Sequence, residues 1–459
     1  MAATDIAVIV LAAGHGTRMK SRKPKVLHSI AGRPMLQHVI ATAESLDPSD
    51  IVVVVGPDMW EVEVASEPHK TVEQSERLGT GHAALQAKRK LGGFDGDVLI
   101  MFGDSPLISP ETLQDMIDLR RSEESPVVVV LGFRPEDPGP YGRLILDEDG
   151  GLERIVEAKD ATPEELMTDL CNSGVMCVEG SVLFDMLGAI GKDNAQGEYY
   201  LTDIVRIARE AGGDCAVVEG DEEEMLGVNN RVHLAQAEAA VQYRMRIAAM
   251  EAGATLQDPD SVHFSWDTKL GRDVTVGPHV VFGPGVRVRH NAEIRAFSHL
   301  EGVTIDEWAQ VGPFARLRPG AKIGKAARVG NFVEVKNAVV EEGAKINHLS
   351  YIGDARVGEG ANIGAGTITC NYDGYLKSHT DIGAGAFIGS NTALVAPVSI
   401  GAGAIIGAGS TITKDVEADA IAVERAPQKS LAGAALKFRD RKSAEKAAQI
   451  AARNKQEGF

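Results

Sequence analysis

The sequence has few cysteines, no long apolar run and fewer basic than acidic residues, and each shortage excludes a class of protein. Its four cysteines, Cys171, Cys177, Cys215 and Cys370, are not spaced like zinc ligands and come without a secretory signal. The first apolar run, IAVIVLAA, has only eight residues and no basic segment before it, which is too short for a membrane span or a signal core. We therefore expect a soluble cytoplasmic protein with no membrane partner, in which this run is a buried strand.

The net charge limits the ligands that the chain binds. It is formally −18, which argues against a broad electrostatic footprint for nucleic acid. Any anionic ligand must therefore be held by local clusters of Lys and Arg. With 459 residues, the chain is long enough for two or more domains, each with its own core.

Residues 1–229 have the pattern of an α/β domain. Apolar runs such as DIVVVVG, DVLIMFGD and PVVVVLGF alternate with helix-like segments, which is typical of a mostly parallel sheet with helices on both faces. Residues 230–252 are rich in Ala and free of Gly and Pro. They predict a connecting helix over 231–251, capped by Gly253.

After Pro259, aliphatic residues recur six positions apart. They form two series: Ile305, Val311, Leu317, Ile323, Val329 and Val335, then Ile382, Ile388, Leu394, Ile400, Ile406 and Ile412. This period predicts a solenoid in which the aliphatic side chains point inward, Gly permits tight corners, and triangular coils stack about 4.8 Å apart. The period does not give the handedness, and the usual crossover rule favours right-handed turns. The basic segment from 431 onward is expected to be a helical or disordered tail.

A Gly-rich loop, within VLAAGHGTRMKSRKPKVL, follows the first predicted strand and offers backbone N–H groups to phosphates. It is not a dinucleotide fingerprint, because the third glycine of that motif would fall on Met19, and it lacks the glycine–lysine pattern of a P-loop. Arg18 and Lys25 flank the loop as two cations suited to a triphosphate.

These segments resemble those of a known family. LAAGHGTRM with PKVL is similar to the signature of nucleotidyltransferases that activate sugar 1-phosphates, and EQSERLGTGHA, FGDSPL, YGR, IVEAKD, CNSG and GVNNR follow in the family's order. With the hexads, about residues 5–430 resemble bacterial bifunctional enzymes that act as glucosamine-1-phosphate N-acetyltransferase and N-acetylglucosamine-1-phosphate uridylyltransferase. The resemblance implies a Rossmann-like uridylyltransferase domain over 1–229, a linker helix over 230–252, and a left-handed parallel β-helix acetyltransferase domain with a tail over 253–459.

For the first domain, the resemblance implies binding of UTP and of the product UDP-N-acetylglucosamine. The implied contacts are Leu11, Ala12, Ala13, Gly14, Lys25, Gln74, Gly79, Thr80, Gly103, Asp104, Gly142, Glu157, Asn172 and Asn229. One carboxylate and one amide oxygen, from Asp104 and Asn229, suit Mg²⁺. Arg18 and Lys25 would steady the triphosphate and the developing charge during catalysis.

For the second domain, the resemblance implies acetyl transfer from acetyl-CoA to glucosamine 1-phosphate. His348 is the implied general base, because a histidine with a pKa near neutrality can accept the proton of the attacking amine. The implied contacts to glucosamine 1-phosphate are Arg318, Lys336, Tyr351, Asn362, Asn371 and Lys377. The implied contacts to acetyl-CoA are Ala365, Asn371, Tyr372, Ser390, Ala408 and Arg425.

The period of the solenoid adds two predictions to this list. With about 18 residues per coil, positions 318, 336 and 354 share a face, so Arg318 and Lys336 would stack and would need an anion such as a sugar phosphate between them. The stretch GTITCNYDGYLKSHTDIG breaks the period, which predicts a loop that leaves the coil to reach a ligand. Neighbouring coils offer no deep pocket, so a cleft between chains is expected, and the resemblance implies a homotrimer.

Two other functions remain open from the sequence. A single-function sugar nucleotidyltransferase would use its β-helix only for assembly or regulation, and the loop with Asn371 together with His348 argues against it. A non-catalytic assembly subunit would not need the set formed by Arg18, Lys25, Asp104 and Asn229.

Overall fold

The computed structural model describes residues 5–456, and the chain divides between Ala326 and Ala327 into two compact units. The first unit contains the α/β region, the connecting helix and the first hexads. The second contains the later hexads and the C-terminal helix Ala434–Gln456, so the predicted tail is helical over that range. In the described part of the chain, no helix is both long and apolar enough to cross a membrane.

A mostly parallel sheet forms the centre of the α/β region, as predicted. Ile6–Leu11 pairs in parallel with both Asp50–Val55 and Asp97–Phe102, whereas Cys171–Glu179 runs antiparallel to its two neighbours. The order across the sheet is Cys215–Glu219, Val128–Phe133, Cys171–Glu179, Asp97–Phe102, Ile6–Leu11, Asp50–Val55 and Lys70–Glu73. Two antiparallel pairs complete the strands of this region: Arg143–Leu146 with Leu152–Val156, and Ser29–Ile30 with Arg33–Pro34.

Helices cover both faces of this sheet. Alternate residues of a strand face opposite sides, and Ile9 accordingly joins one apolar core while Val8 and Val10 join the other. The helices are Met35–Glu44, Trp60–Ser66, Thr80–Gln86, Lys88–Leu91, Pro110–Arg120, Gly180–Ala189 and Asp203–Glu210. Short 3₁₀ turns occur at Thr17–Met19, Lys25–Leu27, Glu165–Met167, Glu222–Met225 and Pro259–Ser261.

The connecting helix spans Arg231–Glu251, as predicted. The Asn230 side chain caps its first turn by accepting from the N–H groups of Val232 and His233 at 2.8 and 2.9 Å. Gly253 follows its last turn with φ +98°, so the predicted C-terminal cap is confirmed. Gln242 is buried and exchanges two hydrogen bonds with the Phe264 backbone, at 2.6 and 2.8 Å, which attach the helix to the first coil.

The hexads form parallel strands, most of them two residues long. In the first unit these are Thr255–Leu256, Lys269–Leu270, Thr275–Val276, Val281–Phe282, Arg287–Val288, Glu293–Ile294, His299–Leu300, Thr304–Ile305, Gln310–Val311, Arg316–Leu317 and Lys322–Ile323. In the second they are Arg328–Asn331, Glu334–Val340, Lys345–His348, Tyr351–Val357, Asn362–Ile363, Ile368–Cys370, Thr380–Ile382, Phe387–Ile388, Ala393–Val395, Val398–Ile400, Ile405–Ile406, Thr411–Ile412 and Ile421–Ala422. Every aliphatic residue of the two predicted series is at most 5% exposed, so their inward orientation is confirmed.

The glycines that follow these aliphatic residues serve a purpose that the sequence did not show. Gly389 and Gly401 do not have positive φ, so conformational freedom is not the reason for them. A Cβ built on Gly389 would lie 2.4 Å from the Ala408 nitrogen, and one on Gly401 would lie 2.3 Å from the Ala418 nitrogen. Glycine is therefore required at these corners because the backbone of the next coil is too close for a side chain.

The length of each coil follows from the strand register. Lys336 lies opposite Gly353, so this coil has 17 residues and the predicted alignment of position 336 with 354 is off by one. Asn362 lies opposite Phe387, 25 residues later. The extra residues of that coil leave the helix between Ile368–Cys370 and Thr380–Ile382, which confirms the predicted loop.

Candidate active sites

The Gly-rich loop lies at the carboxyl end of the parallel strands, directly after Ile6–Leu11. It borders a cavity of about 240 Å³. Of the residues predicted to bind the nucleotide, nine line this cavity: Leu11, Ala12, Ala13, Gly14, Lys25, Gln74, Gly79, Thr80 and Asp104. The structure therefore brings together segments that are far apart in the sequence, at the edge of the sheet where α/β proteins bind ligands.

Four charged or amide side chains meet beside this cavity. Lys25 forms an ion pair with Asp104, and the two side chains are only 14% and 16% exposed. The Asn229 Oδ1 atom accepts a hydrogen bond from Arg18 Nη2 at 2.8 Å and from Lys25 Nζ at 3.3 Å. The Val228 N–H donates to the Asp104 carbonyl at 2.9 Å. This bond holds the segment of Asp104 next to the segment of Asn229. The four residues predicted for catalysis and metal binding thus form one cluster.

The oxygen atoms of this cluster fit the predicted metal. Among residues 5–456, no group of three or more His, Cys, Asp or Glu side chains could hold a metal ion. Asp104 and Asn229 supply one carboxylate and one amide oxygen, and both oxygens are within reach of the same Lys25 ammonium. Mg²⁺ prefers hard oxygen ligands and keeps much of its coordination for water and phosphate, so a pair of this kind suits it.

Gln74 has a fixed orientation in the cavity wall. It is 3% exposed, and its Nε2 donates to the Gly79 carbonyl at 3.0 Å. A carbonyl only accepts, so the Gln74 Oε1 atom is the one turned away and can accept from a ligand. Gly79 has φ +115°, and a Cβ there would lie 2.5 Å from the Tyr199 carbonyl oxygen, so only glycine fits. The Thr80 hydroxyl accepts from the Leu201 N–H at 3.0 Å.

The predicted sugar-binding residues lie outside the lining of this cavity in the described chain. Asn172 is in a strand that runs antiparallel to Asp97–Phe102, so its position near the start of that strand puts it at the same sheet edge as Asp104. Its N–H donates to the Gly142 carbonyl at 2.8 Å. Burial raises the pKa of Glu157, although the Thr202 hydroxyl donates to its carboxylate at 3.3 Å. Gly103 supports the loop by donating from its N–H to the Leu11 carbonyl at 3.0 Å.

Arg77 is a cavity residue that the sequence reasoning missed. It lines the cavity together with Phe102 and Glu198, and its Nε donates to the Ala13 carbonyl at 2.7 Å. Arg77 therefore adds a third cation and attaches the Gly-rich loop to the neighbouring segment. Its place within EQSERLGTGHA, three residues after Gln74, was the signal that could have identified it.

In the second unit, His348 is exposed at the end of strand Lys345–His348. Its Nδ1 atom lies 2.7 Å from Asn331 Oδ1, a residue that the sequence reasoning did not select. The two are neighbours because Asn331 and His348 pair in the strand register. A ring that donates from Nδ1 to an amide oxygen keeps its lone pair on Nε2, so this contact favours the tautomer that a general base needs.

The predicted coenzyme residues follow His348 along one corner of successive coils. The Gly366 N–H donates to the His348 carbonyl at 3.4 Å, and the Asn391 N–H donates to the Ala365 carbonyl at 2.8 Å. The Gly409 N–H then donates to the Ser390 carbonyl at 2.8 Å. Each step spans about 4.8 Å, so the set forms one column that begins at His348 and extends through Ala365, Ser390 and Ala408. Arg425 joins the end of this column, because its Nη1 donates to the Ala408 carbonyl at 2.8 Å.

The loop that interrupts the period contributes Asn371, Tyr372 and Lys377. Tyr372 and Lys377 face each other across an antiparallel bridge at its base, and the Tyr372 hydroxyl donates to the Gly374 carbonyl at 2.6 Å. Tyr375 and Leu376 at its tip are 91% and 70% exposed. The loop is therefore a short projecting hairpin, while Asn371 at its start is only 7% exposed.

The other residues predicted to bind the sugar phosphate lie in or directly after strands of the coils. Lys336 lies in Glu334–Val340, Tyr351 begins the next strand of the same face, and Asn362 begins a strand on another face. Arg318 follows Arg316–Leu317 in the other unit, and its stacking on Lys336 stays a prediction. Asp354 was not predicted for the site, although it accepts hydrogen bonds from Asn337 and Asn371.

Comparisons with known proteins agree with both halves of this description. Residues 8–151 match the family model of MobA-like NTP transferase domains. Residues 379–414 match bacterial transferase hexapeptide repeats, six in number. The parallel coils are a left-handed β-helix of the hexapeptide type, as the resemblance implied and against the usual crossover rule.

Similarity to curated relatives extends over almost the whole chain. Bifunctional protein GlmU of Paramagnetospirillum magneticum is 60% identical over 447 residues, which are 97% of this chain and 99% of the relative. The protein of the same name from Rhodospirillum rubrum is 64% identical over 436 residues, 95% of this chain and 98% of the relative. That from Rhizorhabdus wittichii is 60% identical over 445 residues, 96% and 98% of the two chains. The chain therefore belongs to the family of bifunctional GlmU proteins.

Proposed function

We propose that the chain performs two consecutive transfers, each with its own site. The second unit moves acetyl from acetyl-CoA to the amine of glucosamine 1-phosphate. The α/β region then moves uridylyl from UTP to N-acetylglucosamine 1-phosphate and releases pyrophosphate. The observation that carries this proposal is the presence in one chain of two separate clusters, Lys25 with Asp104 and His348 with Asn331, each of which suits one reaction.

In uridylyl transfer, the phosphate oxygen of the sugar attacks the α-phosphorus of UTP as the bond to the bridging oxygen of pyrophosphate breaks. Catalysis of this step consists mainly of alignment and charge neutralisation. Arg18 and Lys25 supply positive charge beside the cavity, and the Gly-rich loop supplies backbone N–H groups. Gln74 Oε1 is oriented to accept from a nucleobase N–H.

Mg²⁺ would be held by Asp104 and Asn229, and when bound it would neutralise charge on the phosphate oxygens. The residues of the sugar side have a different task. Asn172 stands at the same sheet edge as Asp104, and Glu157 offers a carboxylate that can accept from a sugar hydroxyl. Neither residue needs to exchange a proton with the reacting atoms.

In acetyl transfer, the amine nitrogen attacks the thioester carbonyl carbon, a C–N bond forms, and the C–S bond breaks to release CoA. The amine loses a proton, which His348 Nε2 accepts because Nδ1 is engaged by Asn331. The column from Ala365 to Ala408 would carry the extended coenzyme, with Arg425 near a CoA phosphate. Lys336 and Lys377 would bind the phosphate of the sugar.

The same site supports a proposal about assembly. His348 and the loop from Tyr372 to Leu376 are exposed, whereas a group-transfer reaction needs a cleft that holds both substrates. We propose that other copies of the chain, in a homotrimer, supply the remaining walls of this cleft.

One incubation tests the two reactions together. The chain is supplied with glucosamine 1-phosphate, acetyl-CoA, UTP and Mg²⁺, and free CoA and pyrophosphate are followed separately. Both products are expected, and omission of UTP should leave CoA release intact. Pyrophosphate formed from supplied N-acetylglucosamine 1-phosphate without any CoA release would instead favour a single-function nucleotidyltransferase.

A further inference from the structure

Asp354 is a carboxylate in the proposed acetyl-transfer site that has no part in the mechanism above. It lies in Tyr351–Val357, the strand that pairs with Glu334–Val340. Asn337 and Asp354 have matching left-handed backbone angles, φ +44° and +47°, which Asn and Asp tolerate better than most residues. Tyr351 pairs in turn with Ile368, so Asn371 follows at the corresponding position of the next coil. The three residues form a ladder of amide, carboxylate and amide.

The hydrogen bonds of this ladder fix the direction of both amides. Asn337 Nδ2 donates to Asp354 Oδ1 at 2.6 Å, and Asn371 Nδ2 donates to Asp354 Oδ2. An ionised carboxylate only accepts, so each amide must turn its NH₂ group towards Asp354. The Oδ1 atom of Asn371 therefore faces away from Asp354. Because Asn371 is 7% exposed, its amide has little space in which to reverse.

We infer that Asp354 is a positioning residue for acetyl transfer: it holds the amide of Asn371 so that Asn371 presents a hydrogen-bond acceptor to the amine of the sugar substrate. This inference rests on the proposed acetyl transfer. An acceptor there can take one N–H of the amine and leave the nitrogen lone pair for the thioester carbon. An amide turned the other way would present a donor, which competes for that lone pair.

The surroundings of Asp354 keep it ionised, as this task requires. Burial alone would raise its pKa, but the hydrogen bonds from Asn337 and Asn371, together with the nearby Lys377 and Lys336, hold the pKa below the usual range. Asp354 therefore acts as an acceptor for both amides at neutral pH.

The test uses the full chain and measures CoA release at varied glucosamine 1-phosphate. In Asp354→Asn, the new amide can accept from only one of the two asparagines. We expect kcat for acetyl transfer to fall by about ten- to hundredfold, the effect of losing a hydrogen bond to a charged group. KM for glucosamine 1-phosphate should change by less than about threefold, because the loss arises at the reacting amine. Glu342→Gln, which neutralises an exposed carboxylate of the same unit, is the matched control and should keep the wild-type kcat.

Two double variants separate positioning from a general structural role. In the Asn371→Ala background, Asp354→Asn should change kcat by less than about twofold, because the amide that it positions is absent. Adding Asn337→Ala to Asp354→Asn removes the competing donor, so kcat should partly recover, whereas a structural role predicts a further loss.

Each opposite result overturns the inference: wild-type kcat in Asp354→Asn, an equal loss with and without Asn371, or no recovery on removal of Asn337. A wild-type chain that releases no CoA would refute the proposed acetyl transfer itself, which distinguishes the two failures.

Discussion

Replacement of His348 by Ala should separate catalysis from folding in the second unit. The side chain is exposed, so the substitution leaves the buried aliphatic residues inside the coils unchanged. The one side-chain hydrogen bond described for it, to Asn331 at 2.7 Å, lies at the surface, and its loss should lower the free energy of unfolding by only about 1 kcal/mol. Loss of a general base typically lowers the rate by about 10²- to 10⁴-fold. The effect on turnover should therefore far exceed any effect on stability.

The assay compares three measurements on the same preparation of His348→Ala. CoA release gives kcat and KM for acetyl transfer, pyrophosphate release from supplied N-acetylglucosamine 1-phosphate gives uridylyl transfer, and thermal unfolding reports the fold. Uridylyl transfer should match the wild type, the unfolding midpoint should fall by no more than a few degrees, and kcat for acetyl transfer should fall more than KM changes. If the variant keeps more than about a tenth of wild-type turnover, a loss smaller than the general-base range, His348 is not the base.

Three further predictions test the rest of the proposal. Asp104→Ala should lower uridylyl transfer by on the order of 10²- to 10³-fold, because it removes a proposed ligand of the Mg²⁺ that would neutralise charge in the transition state, and should leave acetyl transfer unchanged; equal loss of both activities in a folded variant would contradict the assignment. Burial raises the pKa of Glu157, so its contribution to stability is present at acidic pH and is lost as pH rises through the folded pKa; Glu157→Gln should raise the unfolding midpoint more at pH 7.5 than near pH 4, and a difference that does not grow with pH would refute this. The full chain should sediment at three times its monomer mass, and a monomer with full acetyl transfer would rule out a cleft shared between chains.

The sequence was sufficient to predict the strands and the coils, because both depend on the spacing of apolar residues. Runs such as IAVIVLAA became strands whose alternate residues enter two cores. The six-residue period placed each aliphatic residue of both series inside the coils. The interruption that begins at Asn371 also became a loop, since seven or eight additional residues cannot fit a regular coil.

The contacts inside the sites depend on register and on approach between distant segments, which the period does not determine. A coil of 17 rather than 18 residues puts Lys336 opposite Gly353 and Asn337 beside Asp354, so counting by 18 selected the wrong neighbour. Asn331 was missed for the same reason, because only the strand register shows that it faces His348. Arg77 was missed because its contact with Ala13 joins segments more than sixty residues apart.

The charges beside the nucleotide cavity indicate whether metal and nucleotide bind separately or together. Asp104 forms an ion pair with Lys25, and Asn229 Oδ1 accepts from both Arg18 and Lys25. A divalent cation on the same two oxygens would face these cations at close range in a partly buried site, which is electrostatically unfavourable. The phosphates of UTP can remove this conflict, because they attract Arg18 and Lys25 and leave the two oxygens to the metal. Under the proposed chemistry, metal and nucleotide therefore bind together.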